Sequence, residues 1–281
     1  MSVIKSLRFH ALSAKVSKPY GMSKALATHR ASTLVVVETT ADRRLDIPID
    51  AMGGKGVFVK EIQAAVLDGR ADLAVHSAKD LPSEPGDGLV IGAFGARRDP
   101  RDALIGRRLD QLAEGATVAT GSVRRRAQLE RVRPDLRFVE LRGNIGTRLE
   151  RIPDGGAIVM AVAALEILEQ TDRIAEILDI DRMVPMVGQG AVAVECRDGD
   201  DATLGRLAAV DDATTRQAIT LERAWLRAVG AGCTAPVGAH AADGMLHTFL
   251  AGTLATVQRS RFVSSMTDAV IAARADLAEA G

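Results

Sequence analysis

ATVATGSVRRRAQLERVRPDLRFVELRGNIGTRLERI, residues 116–152, passes twice from strand to turn to helix. ATVA (116–119) is a short apolar run of strand type. Gly121 turns the chain, and Ser122 is a natural N-cap for a helix over 123–132. LRFVEL (136–141) is the next strand, the Gly143–Asn144 pair turns, and a helix over 146–152 follows. Near-continuous apolar strands separated by helices predict parallel sheets covered on both faces.

The same alternation extends in both directions. Strands are expected at 33–38, 72–76, 89–93 and 157–162, and helices at 57–68, 164–178, 213–229 and 267–280. The fold class is therefore α/β, with two doubly wound α/β domains and a small α+β C-terminal domain. GARRDPRD (95–102) and VPMVGQGAVAVECR (184–197) read as the two crossings between the larger halves, with Gly188 and Gly190 as hinges. The expected boundaries are 1–95 with 190–210, then 96–189, then 211–281. MLHTFLAGTLAT, near the end, reads as a hairpin-like pair of strands.

Composition narrows the function. Lys plus Arg and Asp plus Glu are both 36, so no global charge points to nucleic acid or an anionic membrane. Hydrophobic residues make up 47% and aromatics only 3%, so Ala, Val, Leu and Ile must fill the core. No apolar run approaches the roughly 18 residues that span a bilayer. The N-terminus carries Lys5, Arg8, Lys15 and Lys18 without an apolar centre, a poor signal peptide, so a cytoplasmic protein is expected. Two cysteines, Cys196 and Cys233, make no disulfide framework.

Five segments carry chemistry. In 119–134, Arg124, Arg125 and Arg126 crowd a first helical turn, where the macrodipole disfavours cations. A bound anion resolves the conflict, and a solvated basic helix end is the alternative. In 138–152, Arg142 leaves the strand and Arg148 sits near the helix start, so arginines from both turns can line one pocket for a polyanion; a structural turn with exposed arginines is the other reading. In ADLAVHSAKDLPSEP (71–85), His76, Ser77, Lys79 and Asp80 follow an apolar strand. A carboxylate beside a lysine stays ionised and can stabilise a developing cation or move a proton; otherwise Ser77 or Asp80 caps a turn before Pro82. MGGKGVFVKEI (52–62) presents Lys55 in a glycine-rich loop without P-loop spacing, either a mobile cation-bearing loop or a structural turn. Cys233, in GAGCTAPVG, occupies a backbone-permissive loop unusual for a core cysteine, although a lone loop cysteine is usually inert. Cys196 follows an apolar run and reads as a small buried residue. Neither has a metal-ligand partner at sensible spacing.

HSAKDLP, TGSVRRR, LRGNIGTRL, VGQGAVAVECR and GCTAPVGAHA occur in the order and spacing of the porphobilinogen deaminase (hydroxymethylbilane synthase) family, which the chain resembles from residue 42 to about 241. The resemblance implies two domains facing a cleft like that of two-lobed periplasmic binding proteins, and a third domain carrying the cofactor cysteine. It implies a dipyrromethane cofactor bound covalently to Cys233. Four porphobilinogen units are then added, each with loss of ammonia, to give hydroxymethylbilane in tetrapyrrole biosynthesis. Asp80 and Lys79 are the implied catalytic residues. Ser77, Lys79, Asp80, Ser122, Arg124, Arg125, Arg142 and Gly143 are the implied cofactor contacts, and Arg142, Arg148 and Lys55 the substrate contacts. A cytoplasmic monomer without metal, nucleic acid or membrane partner is expected.

The pattern departs from the family at two places. Leu12 and Ala14 stand where the first strand normally delivers an Arg and a Ser, and YGMSKALA recovers Ser23 but no Arg. Ile167 stands where the family usually has a carboxylate-binding Arg. A diverged, non-catalytic paralog that binds an organic polyanion is the alternative these departures motivate.

Overall fold

The computed structural model describes residues 7–12, 32–37, 56–231 and 235–281, and side chains from Val59 onward. Lys55, Cys233, Ala14 and Ser23 lie outside the described residues. In chain order the elements begin with β1 (Leu7–Leu12), β2 (Ser32–Val37), α1 (Gly56–Leu67), β3 (Leu73–Ser77) and β4 (Leu89–Phe94). Then come β5 (Asp102–Gly106), β6 (Thr117–Ala119), α2 (Val123–Val132), β7 (Arg137–Val139), α3 (Ile145–Leu149), β8 (Ala157–Ala161), α4 (Val162–Ile167) and β9 (Ile174–Leu178). The last are β10 (Val192–Arg197), α5 (Asp201–Leu207), α6 (Ala213–Val229), β11 (Val237–Ala242), β12 (Met245–Ala251), β13 (Thr256–Phe262) and α7 (Met266–Ala280).

Contacts divide the chain into two units, Met1–Ala96 with Ala191–Arg216, and Arg97–Gly190 with Gln217–Gly281. In the first, β1 pairs antiparallel with β2, where Leu12 faces Ser32. A second sheet has the order β3-β10-β4, with β10 antiparallel to both neighbours. In the second unit, a five-stranded sheet runs β7-β6-β8-β5-β9. Its β6–β7 and β6–β8 pairs are parallel, and β5 is antiparallel to β8 and β9. The α/β class is observed, with sheets more mixed than the apolar runs predicted. β5 and β10 are the strands that open directly from the two crossings, and each runs against its neighbours. A strand buried on both faces reads as a continuous apolar run whichever way it runs, so direction was hidden in the sequence.

Two further differences have local causes. The helix expected over 164–178 stops at Ile167, and IAEIL (174–178) becomes β9 on the edge of β5. Glu169 takes φ 55°, and the Gln170 N–H donates back to the Leu165 carbonyl, which ends the helix in a left-handed turn. The expected C-terminal hairpin is a three-stranded antiparallel meander, β11-β12-β13. It packs against α6 and α7 through Trp225, Val237, Leu246, Val257 and Ala269.

The five-stranded sheet has its own cores. One gathers Leu104, Val118, Leu129, Val159 and Leu178, and another Ile105, Ile158, Met160 and Leu165. Leu104 is fully buried at the middle of β5. Leu104→Ala should cost about 2–5 kcal/mol, read as a lower urea midpoint; a loss below about 1 kcal/mol would mean that β5 is not the centre of this sheet.

Candidate functional site

In the first unit, the apolar strand β3 delivers Ser77 at its end, and residues Ala78–Asp80 form a single 3-10 turn. Ala78 and Leu81 are buried and point the turn inward, while Lys79 and Asp80 are half-buried. The Ala78 N–H donates to the Ala191 carbonyl at 3.0 Å, pinning the turn to the start of β10. Beneath it lies a buried polar set: His76 Nε2 is 2.9 Å from Glu195 Oε2, without hydrogen-bond alignment. Gln63 Nε2 donates to both Glu195 oxygens at 3.1 and 3.0 Å. These groups make the end of β3 a fixed platform.

In the second unit, the two strand–helix turns stand side by side. Ser122 caps α2, its hydroxyl accepting from the Arg125 N–H, as the sequence predicted. Asn144 caps α3 by accepting from the Thr147 N–H at 2.9 Å. Thr120, Gly121, Ser122, Arg126, Phe138 and Glu140 line a pocket of about 100 Å³ at the junction of these turns. Gly143 takes φ +114°, and an added Cβ would sit 3.1 Å from the Thr147 methyl, so the turn needs glycine on both counts. Arg148 Nε donates to the Gly143 carbonyl at 2.7 Å, and Arg142 Nε donates to Glu140 Oε1 at 3.1 Å. Arg124, Arg125, Arg142 and Arg148, expected to line one pocket, thus belong to two adjacent strand–helix turns of one unit. Asp80 and Lys79 belong to the other.

Arg124 and Arg125 do not project as open cations. They are 3% and 8% exposed, and both fold back on Asp102, which is 0% exposed. Arg124 Nη2 donates to Asp102 Oδ2 at 2.7 Å, and Arg125 Nε and Nη2 donate to Oδ1 at 3.1 and 2.7 Å. Their remaining Nη1 groups donate to the Val184 and Val159 carbonyls. Gln189 Nε2 adds a bond to Asp102 Oδ1 at 2.9 Å. Burial pushes the Asp102 carboxyl up, but the charges and hydrogen bonds of the two arginines outweigh it and hold the group well below the usual carboxylate range. Burial pulls the Arg124 guanidinium down against the opposing pull of Asp102. The conflict of cations with the helix dipole, noted in the sequence, is thus met in part from within the chain.

A third buried carboxylate organises the crossings of the same unit. Glu222 on α6 receives Arg97, the Gly188 N–H at 2.7 Å and the Ala241 N–H at 2.8 Å. Asp102, Gln189, Glu195 and Glu222 were not singled out in the sequence. Their only signal was an acid or amide beside an apolar run, which surface turns show equally. Ile167 is 37% exposed at the end of α4 and offers no polar group there. Cys196 is buried on β10, and burial pushes its thiol up, consistent with an inert core residue. Among the described residues, no cluster of His, Cys, Asp or Glu is arranged for a metal, and no helix is long and apolar enough to cross a membrane.

A family model described as porphobilinogen deaminase, dipyromethane cofactor binding domain, matches residues 13–205. Porphobilinogen deaminase of Syntrophotalea carbinolica is 45% identical over 244 residues, covering 85% of this chain and 78% of that protein. The Brevibacillus brevis protein of that name is 46% identical over 213 residues, covering 74% and 69%. The Acidothermus cellulolyticus protein of that name is 50% identical over 215 residues, covering 73% and 65%.

A carboxyl held low in the folded state binds its proton more weakly there than in the unfolded chain. Its stabilisation is complete above the unfolded value of about 3.9 and is lost as pH falls below it. Unfolding monitored by circular dichroism should therefore show stability that is flat near neutrality and falls steeply below about pH 4. At pH 7, Asp102→Ala should cost about 3–5 kcal/mol, because it strands two buried cations. A variant as stable as the parent would show that the cluster is not ionised.

Proposed function

This chain belongs to the porphobilinogen deaminase family, and on that footing we infer that it condenses porphobilinogen units, with loss of ammonia, on a dipyrromethane cofactor to give hydroxymethylbilane. The observation that carries this reading is the family match through residues 13–205, which takes in the β3 turn and both arginine loops. The residues present suit a group that bears carboxylates. Two guanidiniums share the one carboxylate of Asp102, which leaves the α2 turn net positive, and Arg124 Nε is buried with no hydrogen-bond partner among the described residues. Cys233 holds the cofactor through a thioether. Ser77, Lys79, Asp80, Ser122, Arg124, Arg125, Arg142 and Gly143 would bind it. When bound, the dipyrromethane supplies the nucleophilic pyrrole carbon from which the product grows.

The chain's own groups do the rest. Asp80, held on the pinned turn after β3, stabilises the cation left as the substrate loses ammonia and takes up or returns protons at its carboxylate. Lys79 beside it, Arg142, Arg148 and Lys55 bind the acetate and propionate of the substrate, as charge-assisted bonds favour. We place the reaction in the cytoplasm, with a monomeric enzyme whose three domains divide at 1–95 with 190–210, 96–189 and 211–281.

Asp80→Asn preserves shape and removes the charge. It should lower porphobilinogen consumption by at least about 10²-fold, the usual scale of an acid–base or electrostatic contribution; normal ammonia release would remove Asp80 from this role. Ile167 leaves unserved the carboxylate that an arginine meets in the family. Ile167→Arg should therefore raise kcat/KM for porphobilinogen by about tenfold or more, from roughly 1.5–3 kcal/mol of charge-assisted bonding. No gain would mean that another group already serves that carboxylate.

A further inference from the structure

Asp102 collects more polar partners than a structural ion pair requires. Its Oδ1 accepts from Arg125 Nε, Arg125 Nη2 and Gln189 Nε2, and its Oδ2 accepts from Arg124 Nη2. These donors come from the first turn of α2 and from the segment leading to β10. The two Nη1 groups are tied to backbone carbonyls, so each guanidinium is fixed at both ends. An apolar substitute for such a cluster commonly serves stability as well or better, so stability alone does not account for it. The cluster sets two things: the pose of neighbouring arginines in a helix turn, and their charge, reduced from two positive charges to one.

We propose that Asp102 is a positioning residue of the reaction, locking Arg124 and Arg125 in place and cancelling one of their two charges, so that the pair meets a pyrrole carboxylate in one pose and as a single net cation. The proposal rests on the reading above that these arginines take up carboxylates. Asp102 itself touches neither substrate nor cofactor and acts through the arginines.

The test is steady-state kinetics with porphobilinogen as a function of salt, on holoenzymes matched for cofactor load. Asp102→Asn should lower kcat/KM at least tenfold and steepen the rise of KM with salt, since two uncompensated cations then face the carboxylate. Adding Arg125→Gln restores the charge count. It should return the salt dependence to that of the parent and recover at least threefold in kcat/KM. Unchanged kinetics in Asp102→Asn would overturn the proposal. So would a loss with parental salt dependence and no recovery in the double variant, which is the pattern of a purely structural role. Should Asp102→Asn fail to fold, Asp102→Glu keeps the charge and shifts the carboxylate by one methylene. It should lower kcat/KM threefold or more with parental salt dependence, and parental kinetics would overturn the proposal. Arg125→Gln alone separates the two levels. Normal kinetics there would overturn the carboxylate reading and the proposal with it, whereas impaired kinetics beside a normal Asp102→Asn would overturn the proposal alone.

Discussion

The second unit turns on one buried carboxylate. β5 brings Asp102 out of the crossing into a site with no solvent exposure, where an isolated charge would be costly. The cost is offset because α2 begins at Ser122 and thereby puts Arg124 and Arg125 in its first turn, within reach of both oxygens. Each part depends on the others. Without the Ser122 cap the turn would not place the arginines. Without the arginines Asp102 could not stay charged in the core. Without Asp102, two like charges would lie buried against a helix dipole of the same sign. The loop later read as a carboxylate-binding element thus owes its shape to a carboxylate already inside the protein.

The same device recurs. Glu195 on β10 anchors His76 and Gln63 under the turn that carries Lys79 and Asp80. Glu222 on α6 gathers Arg97 with the Gly188 and Ala241 N–H groups. Burial pushes its carboxyl up, and Arg97 foremost holds it below the usual range instead. In each case a buried acid fixes polar groups that apolar packing could not orient, which suits a protein that must hold many charged side chains at defined places.

Legibility followed the range of the interactions. Ser122, the helix 123–132 and the Gly143–Asn144 turn were readable because capping and turn chemistry are local, and the structure places them as expected. The position of Ser77, Lys79 and Asp80 after an apolar strand was readable for the same reason. β9 was misread as helix because IAEIL gains its partner only from β5, some 70 residues earlier in the chain. β10 was read as a mere crossing, although Val194 and Cys196 are core residues. Asp102 was invisible for a related reason: in GARRDPRD it looks like one more turn residue, and only the sheet makes it buried. The arginines were marked as needing a bound anion, but no local rule could say that the chain places a carboxylate of its own against them.

The central claim is that this chain carries the family's covalent cofactor on Cys233. The most direct measurement is the intact mass of the purified protein beside a Cys233→Ser control. The parent should show an excess equal to two linked pyrrole units, and the control none. A parent protein at its unmodified mass would contradict it.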